Sequence, residues 1–213
     1  MTSTWTRLGA WALVLGSLIS AAGYLAVGLL VHGDQSAQLL NPLWTPLESL
    51  AIAGDLLAIL GLPVAFGAQF GRFRVLTVIG VVGTYAALAM LNLADGVLEA
   101  YIEPYLAVHG GVPAEPPAGW NTFENVALVA MLVGLVCLGL AVILERRFPW
   151  VAGAMLIASP IVALIGLPVP FALISDYLAF AAFVIVGVQV IRAGATERAM
   201  SPEPHVAGAG ATV

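Results

Sequence analysis

The sequence predicts an all-α membrane protein, a bundle of six transmembrane helices with its N- and C-termini in the cytoplasm. Hydrophobic residues make up 61% of the chain and charged residues only 9%, against about 25% charged in an average soluble domain. The apolar residues occur in long runs, and crossing the hydrocarbon layer takes about 20 such residues in helical form. A third observation, the placement of the arginines, gives the orientation.

Six apolar segments approach the length of a membrane span, within which every backbone polar group must be paired internally. They cover residues 8–31, 50–70, 75–93, 126–144, 151–167 and 171–191. The fifth is the shortest and is bounded by Pro149 and Pro168, and Pro168-Val169-Pro170 predicts a tight turn before the sixth. The first is longer than a signal-peptide core, so we interpret it as a retained anchor.

All seven basic residues are arginines, and a six-span topology places them on one side of the membrane. They are Arg7, Arg72, Arg74, Arg146, Arg147, Arg192 and Arg198. Because short cytoplasmic loops accumulate basic residues, both termini are predicted to be cytoplasmic. The lack of lysine, with abundant Ala, Gly and Val, is typical of a GC-rich bacterial genome and suggests the bacterial cytoplasmic (inner) membrane.

A single transmembrane domain is predicted for residues 1–192, followed by a disordered cytoplasmic tail at residues 193–213, which is rich in Ala, Gly and Pro. Small residues recur at spacings of three and four along the first helix, at Gly9, Ala12, Gly16, Ser20 and Gly23. Because small residues allow helix backbones to approach closely in lipid, this stripe predicts an internal packing surface.

The twelve carboxylates are distributed unequally, with three on the cytoplasmic side and nine in the outer half, where no arginine lies. Asp55 and Asp176 fall within apolar segments, each five residues after the start of its segment, which predicts similar depths. A carboxylate in hydrocarbon costs at least about 2.5 to 3.5 kcal/mol. Both are therefore expected to face the bundle interior or a water-filled cavity.

Other polar residues are predicted to join these two in an outward-facing acidic cavity. At about 100° per residue, Tyr85, Asn92, Asp95, Glu99 and Glu103 share a narrow arc of the third helix. The predicted ligand-binding residues are Asp55, Asp95, Glu99, Asp176, Glu48, Glu124, Tyr85 and Asn92, and the candidate catalytic residues are Asp55 and Asp176. Alternatively, the loop acids are merely solvated, and Glu48 and Glu124 cap helices.

Several classes of site are missing from the sequence. It contains no P-loop, no dinucleotide-binding glycine motif, no GxSxG motif and no basic patch for nucleic acid. His32 and His109 lack the spacing of a zinc motif, and Cys137 is the only cysteine. We therefore predict neither a metal site nor a cofactor.

Two short segments, Thr6-Arg7-Leu8-Gly9 and Ala53-Gly54-Asp55-Leu56-Leu57, lie on either side of a polar outer loop. In this order they resemble a bacterial family of small multi-span membrane proteins of unknown function. The resemblance covers about the first half of the chain. It implies a six-helix membrane fold and no particular chemistry.

Three functional hypotheses are compatible with the sequence. The first is a transporter-like or sensor-like protein that handles a cation or a small molecule, because a carboxylate buried without a basic partner takes up a proton, shares one or binds a cation. The second is an intramembrane enzyme in which protonated Asp55 or Asp176 acts as general acid on a lipid-soluble, isoprenoid-like substrate. The third is an accessory subunit without its own activity. The lipid bilayer is a partner in all three, and the sequence specifies no oligomeric state.

Overall fold

The computed structural model describes residues 4–67, 74–113, 115, 117–165 and 173–200, with side chains up to residue 196. All regular structure in these ranges is helical. The helices are α1 (Thr4–Leu30), α2 (Gln35–Leu39), α3 (Trp44–Gly67), α4 (Arg74–Val108), α5 (Trp120–Glu145), α6 (Trp150–Ile165) and α7 (Ile174–Met200).

Five helices of the described part, namely α1, α3, α4, α5 and α7, are long and apolar enough to cross a membrane. Helix α6 is also apolar, and its 16 described residues are fewer than a full span needs. The chain is therefore an all-helical, multi-pass membrane protein, as the sequence predicts. The predicted Pro168-Val169-Pro170 turn and the loop residue Arg72 lie outside the described residues.

The six longer helices form a closed ring. Leaving aside the short α2, each helix packs against the helices before and after it in the chain, and α7 returns to pack against α1. Large side chains from several helices are fully buried between the helices. They include Leu13, Leu62, Leu138, Leu156 and Phe183. The ring places the middle of each helix around a common centre.

Helices α1 and α3 approach closely because glycines face each other across the pair. A Cβ atom at Gly16 would lie 2.6 Å from the Gly54 carbonyl oxygen, and one at Gly54 would lie 2.7 Å from the Gly16 carbonyl oxygen. Lipid supplies no hydrophobic drive for helix association, so such backbone contact provides much of the packing energy. The predicted packing surface is confirmed at Gly9, Gly16 and Gly23, all of which are buried against α3.

Helix α4 is continuous but not uniformly α-helical. Residues Leu88–Asp95 and Leu98–Ile102 form π-helical stretches, in which each N–H bonds to the carbonyl five residues earlier. An extra residue in a turn rotates everything beyond it by about 100° relative to an α-helix. The arc predicted from Tyr85 to Glu103 therefore does not stay on one face, and Tyr85 is 43% exposed.

The two ends of the bundle carry different charges. Where α1 begins and α3 ends, Gly9 lies against Val64, and Arg147 lies 3.7 Å from Glu145 beside Phe66. We call this the basic end; it contains Arg7, Arg74, Arg146 and Arg147. At the opposite, acidic end, α1 finishes and α3 begins; it contains Asp34, Asp95, Glu99, Glu103 and Glu124.

Two helix boundaries differ from the sequence prediction. Helix α3 begins at Trp44 rather than at residue 50, because Pro46 is compatible with the first turn of a helix. Helix α7 continues to Met200, eight residues into the segment predicted to be disordered. Ala, Arg, Glu and Met in that extension favour helix. Residues 201–213 lie outside the described residues.

Candidate functional site

Asp55 is fully buried near the middle of α3, and side chains from two other helices bind its carboxylate. Oδ1 accepts a hydrogen bond of 2.7 Å from Ser20 Oγ, and Oδ2 accepts one of 2.8 Å from the Tyr24 hydroxyl. Asn92 Nδ2 donates to the same Oδ2 at 3.2 Å. These four residues, the Asp55 network, connect α1, α3 and α4.

Ser20 gives the Asp55 network two hydrogen-bond patterns. Its hydroxyl carries one hydrogen and lies 2.7 Å from Asp55 Oδ1 and 3.1 Å from the Ala51 carbonyl oxygen. When Asp55 is ionised, Ser20 donates to the carboxylate. When Oδ1 carries a proton, Asp55 donates to Ser20, and Ser20 donates to Ala51. Both protonation states are therefore satisfied without moving a helix.

A cavity of about 200 Å³, the central cavity, lies inside the ring beside the Asp55 network. Its wall consists of Tyr24, Thr84, Ala87, Leu88, Leu91, Asn92, Met131, Leu135, Ser159, Asp176, Ala179, Phe180 and Phe183. Five helices contribute to this wall, and the remaining ring helix, α3, contributes indirectly through Asp55. At ~30 Å³ per water molecule, the volume suits a small organic molecule or about six waters.

The polar groups on this wall are few and incompletely paired. Thr84 is 1% exposed, and its Oγ1 has no hydrogen-bond partner within the described ranges. The carboxylate of Asp176 has Ser175 Oγ at 3.5 Å, which is at the outer limit of a hydrogen bond. Next to them, the ring of Tyr24 stacks on that of Phe180 with centroids 6.3 Å apart. The wall thus combines hydrogen-bonding oxygens with aromatic faces.

A larger cavity of about 470 Å³, the outer cavity, lies at the acidic end. Its acidic lining residues are Asp95, Glu99, Glu103, Glu115 and Glu124. Glu124 accepts a 2.9 Å hydrogen bond from Trp120 Nε1. Among the residues that the structure describes, no group of three or more His, Cys, Asp or Glu side chains is arranged to hold a metal ion.

The π-helical part of α4 is attached to the start of α3 by side chains that donate to its carbonyl groups. Trp44 Nε1 donates to Glu99 O, and Thr45 Oγ1 donates to Ala100 O, both at 2.9 Å. Ser49 Oγ lies 2.7 Å from the Tyr101 hydroxyl. These bonds fix α4 where it passes from the central to the outer cavity.

The predicted ligand-binding residues divide between the two cavities rather than sharing one chamber. Asn92 and Asp176 border the central cavity, whereas Asp95, Glu99 and Glu124 border the outer cavity. Asp55 lies behind the central wall, bonded to Tyr24 and Asn92. Glu48 is buried on α3, seven residues before Asp55, and neither Glu48 nor the exposed Tyr85 borders either cavity.

The alternative interpretation of Glu48 and Glu124 as helix caps does not hold. Each is the fifth residue of its helix, α3 or α5, and the N-cap position of α5 is occupied by Gly119.

Sequence reasoning missed Ser20, Tyr24 and Thr84. The available signal was the pair Ser20 and Tyr24, two polar residues one turn apart in the otherwise apolar end of α1, residues 18–30.

Comparison with known proteins finds no match to the chain among family models, curated proteins or solved structures. The two cavities are therefore interpreted from their own chemistry, because a helical fold alone does not imply a function.

Proposed function

We propose that the protein is transporter-like or sensor-like and takes up a small molecule or cation in the central cavity, coupled to proton exchange at buried carboxylates. One observation carries this proposal. Asp176 borders the cavity, and the Asp55 network, which accommodates either protonation state, lies directly behind the same wall. Intramembrane carboxylates in such positions are typical of proton relays and substrate pathways.

The proposal includes six membrane spans, with both termini on the cytoplasmic side of a bacterial inner membrane. Helix α6 supports the sixth span because it packs between α5 and α7 as the longer helices pack between their neighbours. The arginines of the basic end favour the cytoplasm for that end. The outer cavity would then open on the external side.

The hydrogen bonds of Asp55 favour proton storage over acid catalysis by this residue. A general acid must lie within hydrogen-bond reach of its substrate, and Asp55 is fully buried, with its oxygens bonded to Ser20, Tyr24 and Asn92. The three partners donate to Asp55 when it is ionised, and Ser20 can accept its proton when it is protonated. Proton exchange through the neighbouring hydroxyls suits this arrangement better than contact with a substrate.

A second candidate function is an intramembrane enzyme with Asp176 as general acid. The stacked rings of Tyr24 and Phe180 favour it, because aromatic faces beside an acid stabilise a developing carbocation. Analysis of lipid products in membranes with and without the protein distinguishes the two functions. A new product that disappears in Asp176→Asn would support the enzyme and overturn the transporter-like or sensor-like proposal.

The leading proposal is tested by comparing Asp55→Asn and Asp176→Asn in reconstituted vesicles. We expect the infrared band of a protonated buried carboxyl to appear on acidification of the native protein and to weaken in each variant. Proton flux under an imposed membrane potential should fall in both variants if the protein transports. Within the described residues Asp176 has one long polar contact, to Ser175, so the Asp176→Asn test stands even if Asp55→Asn does not fold.

Asp34→Asn is the matched control. Asp34 is exposed and accepts a hydrogen bond from the Ala37 backbone N–H as the N-cap of α2, and asparagine caps a helix equally well. Its infrared band and flux should equal those of the native protein. Equal band intensity and flux in the native protein and both folded carboxylate variants would overturn the proposal.

A further inference from the structure

We infer that the ligand of the central cavity is a small organic ammonium ion, a cation with N–H donors on a compact apolar body, and that Asp176 is its carboxylate partner. This inference rests on the proposed function and names the ligand class of the same site. Three properties of the wall lead to it: which hydrogen-bonding groups are already used, where the aromatic rings lie and how few oxygens are present.

Two of the hydrogen-bond donors on the wall, Tyr24 and Asn92, are already committed to Asp55. The Tyr24 hydroxyl donates to Asp55 at 2.8 Å, and the Asn92 amide nitrogen lies 3.2 Å from Asp55 Oδ2 and 3.4 Å from the Tyr24 oxygen. The Asp176 carboxylate remains as an acceptor, together with the Thr84 hydroxyl, which is buried without a partner within the described ranges. A ligand that donates hydrogen bonds therefore complements these two groups.

The aromatic rings favour a positive charge on that donor. Asp176 and Phe180 are four residues apart on α7, which places them on the same face of the helix. Phe180 in turn stacks on Tyr24. A cation held by the carboxylate therefore lies close to aromatic faces, whose negative quadrupole attracts it. Met131 and Leu135 of α5, which also line the cavity, would contact the apolar part of the ligand.

The wall does not suit a divalent inorganic cation. Calcium takes about six to eight oxygen ligands, and magnesium requires about six in octahedral geometry. In the described part of the chain, Asp176 is the one carboxylate lining the cavity, and most of the remaining lining residues are apolar. The cavity of about 200 Å³ instead fits an organic ion of about five to seven non-hydrogen atoms, taking each as close to a water molecule in volume.

The test uses the full chain in lipid nanodiscs, with n-butylammonium chloride as the calorimetric probe and empty nanodiscs subtracted. Tetramethylammonium is the matched comparison, because it has the same charge and the same number of non-hydrogen atoms but no N–H donor. We expect n-butylammonium to bind at least about tenfold more tightly than tetramethylammonium, and sodium chloride to give no binding heat.

Substitutions assign the site. Asp176→Asn should weaken n-butylammonium binding by at least about tenfold, because it removes the charged partner. Thr84→Val should weaken it by about three- to tenfold through loss of one hydrogen bond. Ser17→Ala is the control for Thr84→Val, because Ser17 is also a fully buried hydroxyl without a partner in the described part of the chain, but it does not border the cavity. Its affinity should equal that of the native protein.

Two outcomes would overturn the inference: equal affinity for the two ammonium ions, or unchanged n-butylammonium affinity in folded Asp176→Asn. If n-butylammonium does not bind but the infrared band and flux still depend on Asp176, the ligand class is overturned. The proposed function is then unaffected. Binding that depends on Asp176, without the infrared band or flux, would support the ligand class and overturn proton coupling.

Discussion

Asp55 and Asp176, the two carboxylates inside apolar helices, have different surroundings, and we infer different roles for them from this difference. Asp55 is enclosed by three donors from α1 and α4, so it holds helices together in addition to accommodating a proton. Among the residues that the structure describes, Asp176 has one long polar contact, and it borders a cavity. A carboxylate with so few fixed partners can exchange them, which is what ligand binding requires.

Tyr24→Phe separates the hydrogen bond of Tyr24 from its ring contact. The substitution removes the donor to Asp55 and retains the ring that stacks on Phe180. We expect the free energy of unfolding to fall by about 1.5 to 3 kcal/mol, as for a hydrogen bond to a charged group. Denaturant unfolding in detergent micelles measures it.

Tyr85→Phe provides the control for Tyr24→Phe, because Tyr85 is exposed on the outside of the bundle. Its effect should stay within about 0.5 kcal/mol. Equal stability losses in the two variants would contradict a contribution from the bond between Tyr24 and Asp55.

At the residue scale, the inward position of Asp55 and Asp176 is predictable because the cost of a carboxylate in hydrocarbon permits little else. The hydroxyl partners are not predictable in this way. A serine or threonine in an apolar helix can bond its own backbone, so neither Ser20 nor Thr84 is obliged to face the interior. Only the folded chain shows which hydroxyls do so.

At the scale of single helices, α4 shows where sequence periodicity fails. The predicted arc assumes a constant rotation of about 100° per residue, and the π-helical stretches change that rotation between Tyr85 and Glu103. They persist because Trp44 and Thr45 of α3 bond the carbonyl groups of Glu99 and Ala100. These contacts between distant parts of the chain leave no periodic signal in α4 itself.

Gly54→Ala tests the close contact of α1 and α3. The new Cβ atom would lie 2.5 Å from Ser20 Oγ and 2.7 Å from the Gly16 carbonyl oxygen, so the helices must separate. We expect a loss of about 1 to 3 kcal/mol in unfolding free energy, together with weaker bonding of Asp55 by Ser20. Thermal unfolding in detergent and the carboxylate infrared bands measure the two effects.

Gly28→Ala is the control on the same pair of helices. Among the described residues, a Cβ atom there meets only Leu173 Cδ1, at an ordinary distance of 3.8 Å, and alanine favours helix over glycine by about 1 kcal/mol. This variant should be as stable as the native protein or more so. If Gly54→Ala is as stable as Gly28→Ala, the close contact of α1 and α3 does not require glycine at position 54.

At the scale of the whole molecule, the helical class and the approximate spans follow from the lengths of the apolar runs, because a chain in lipid must pair its backbone internally. Closure of the ring does not follow from them. It depends on α7 reaching α1, where Gly187 lies against Ala10 and Val14. Apolar residues cover most helix faces, so composition alone does not reveal which faces meet.

The orientation of the bundle is testable with single cysteines in a Cys137→Ser background. Ser36→Cys lies on exposed α2 at the acidic end, and Pro149→Cys lies in the exposed loop between α5 and α6 at the basic end. We expect a membrane-impermeant maleimide to label Ser36→Cys in intact cells and Pro149→Cys only after permeabilisation. The reverse labelling pattern would place the acidic end in the cytoplasm.

The packing of α7 against α1 also determines when the protein becomes complete during synthesis. Helices α1 and α3 leave the ribosome early and carry Ser20, Tyr24 and Asp55, so their shared hydrogen bonds are available before the later helices exist. Asp176 and Phe180 emerge last. In a nascent chain halted before α7, α1 and α3 would already be joined by these hydrogen bonds. The central cavity would lack the wall that α7 provides and would be open to lipid on that side.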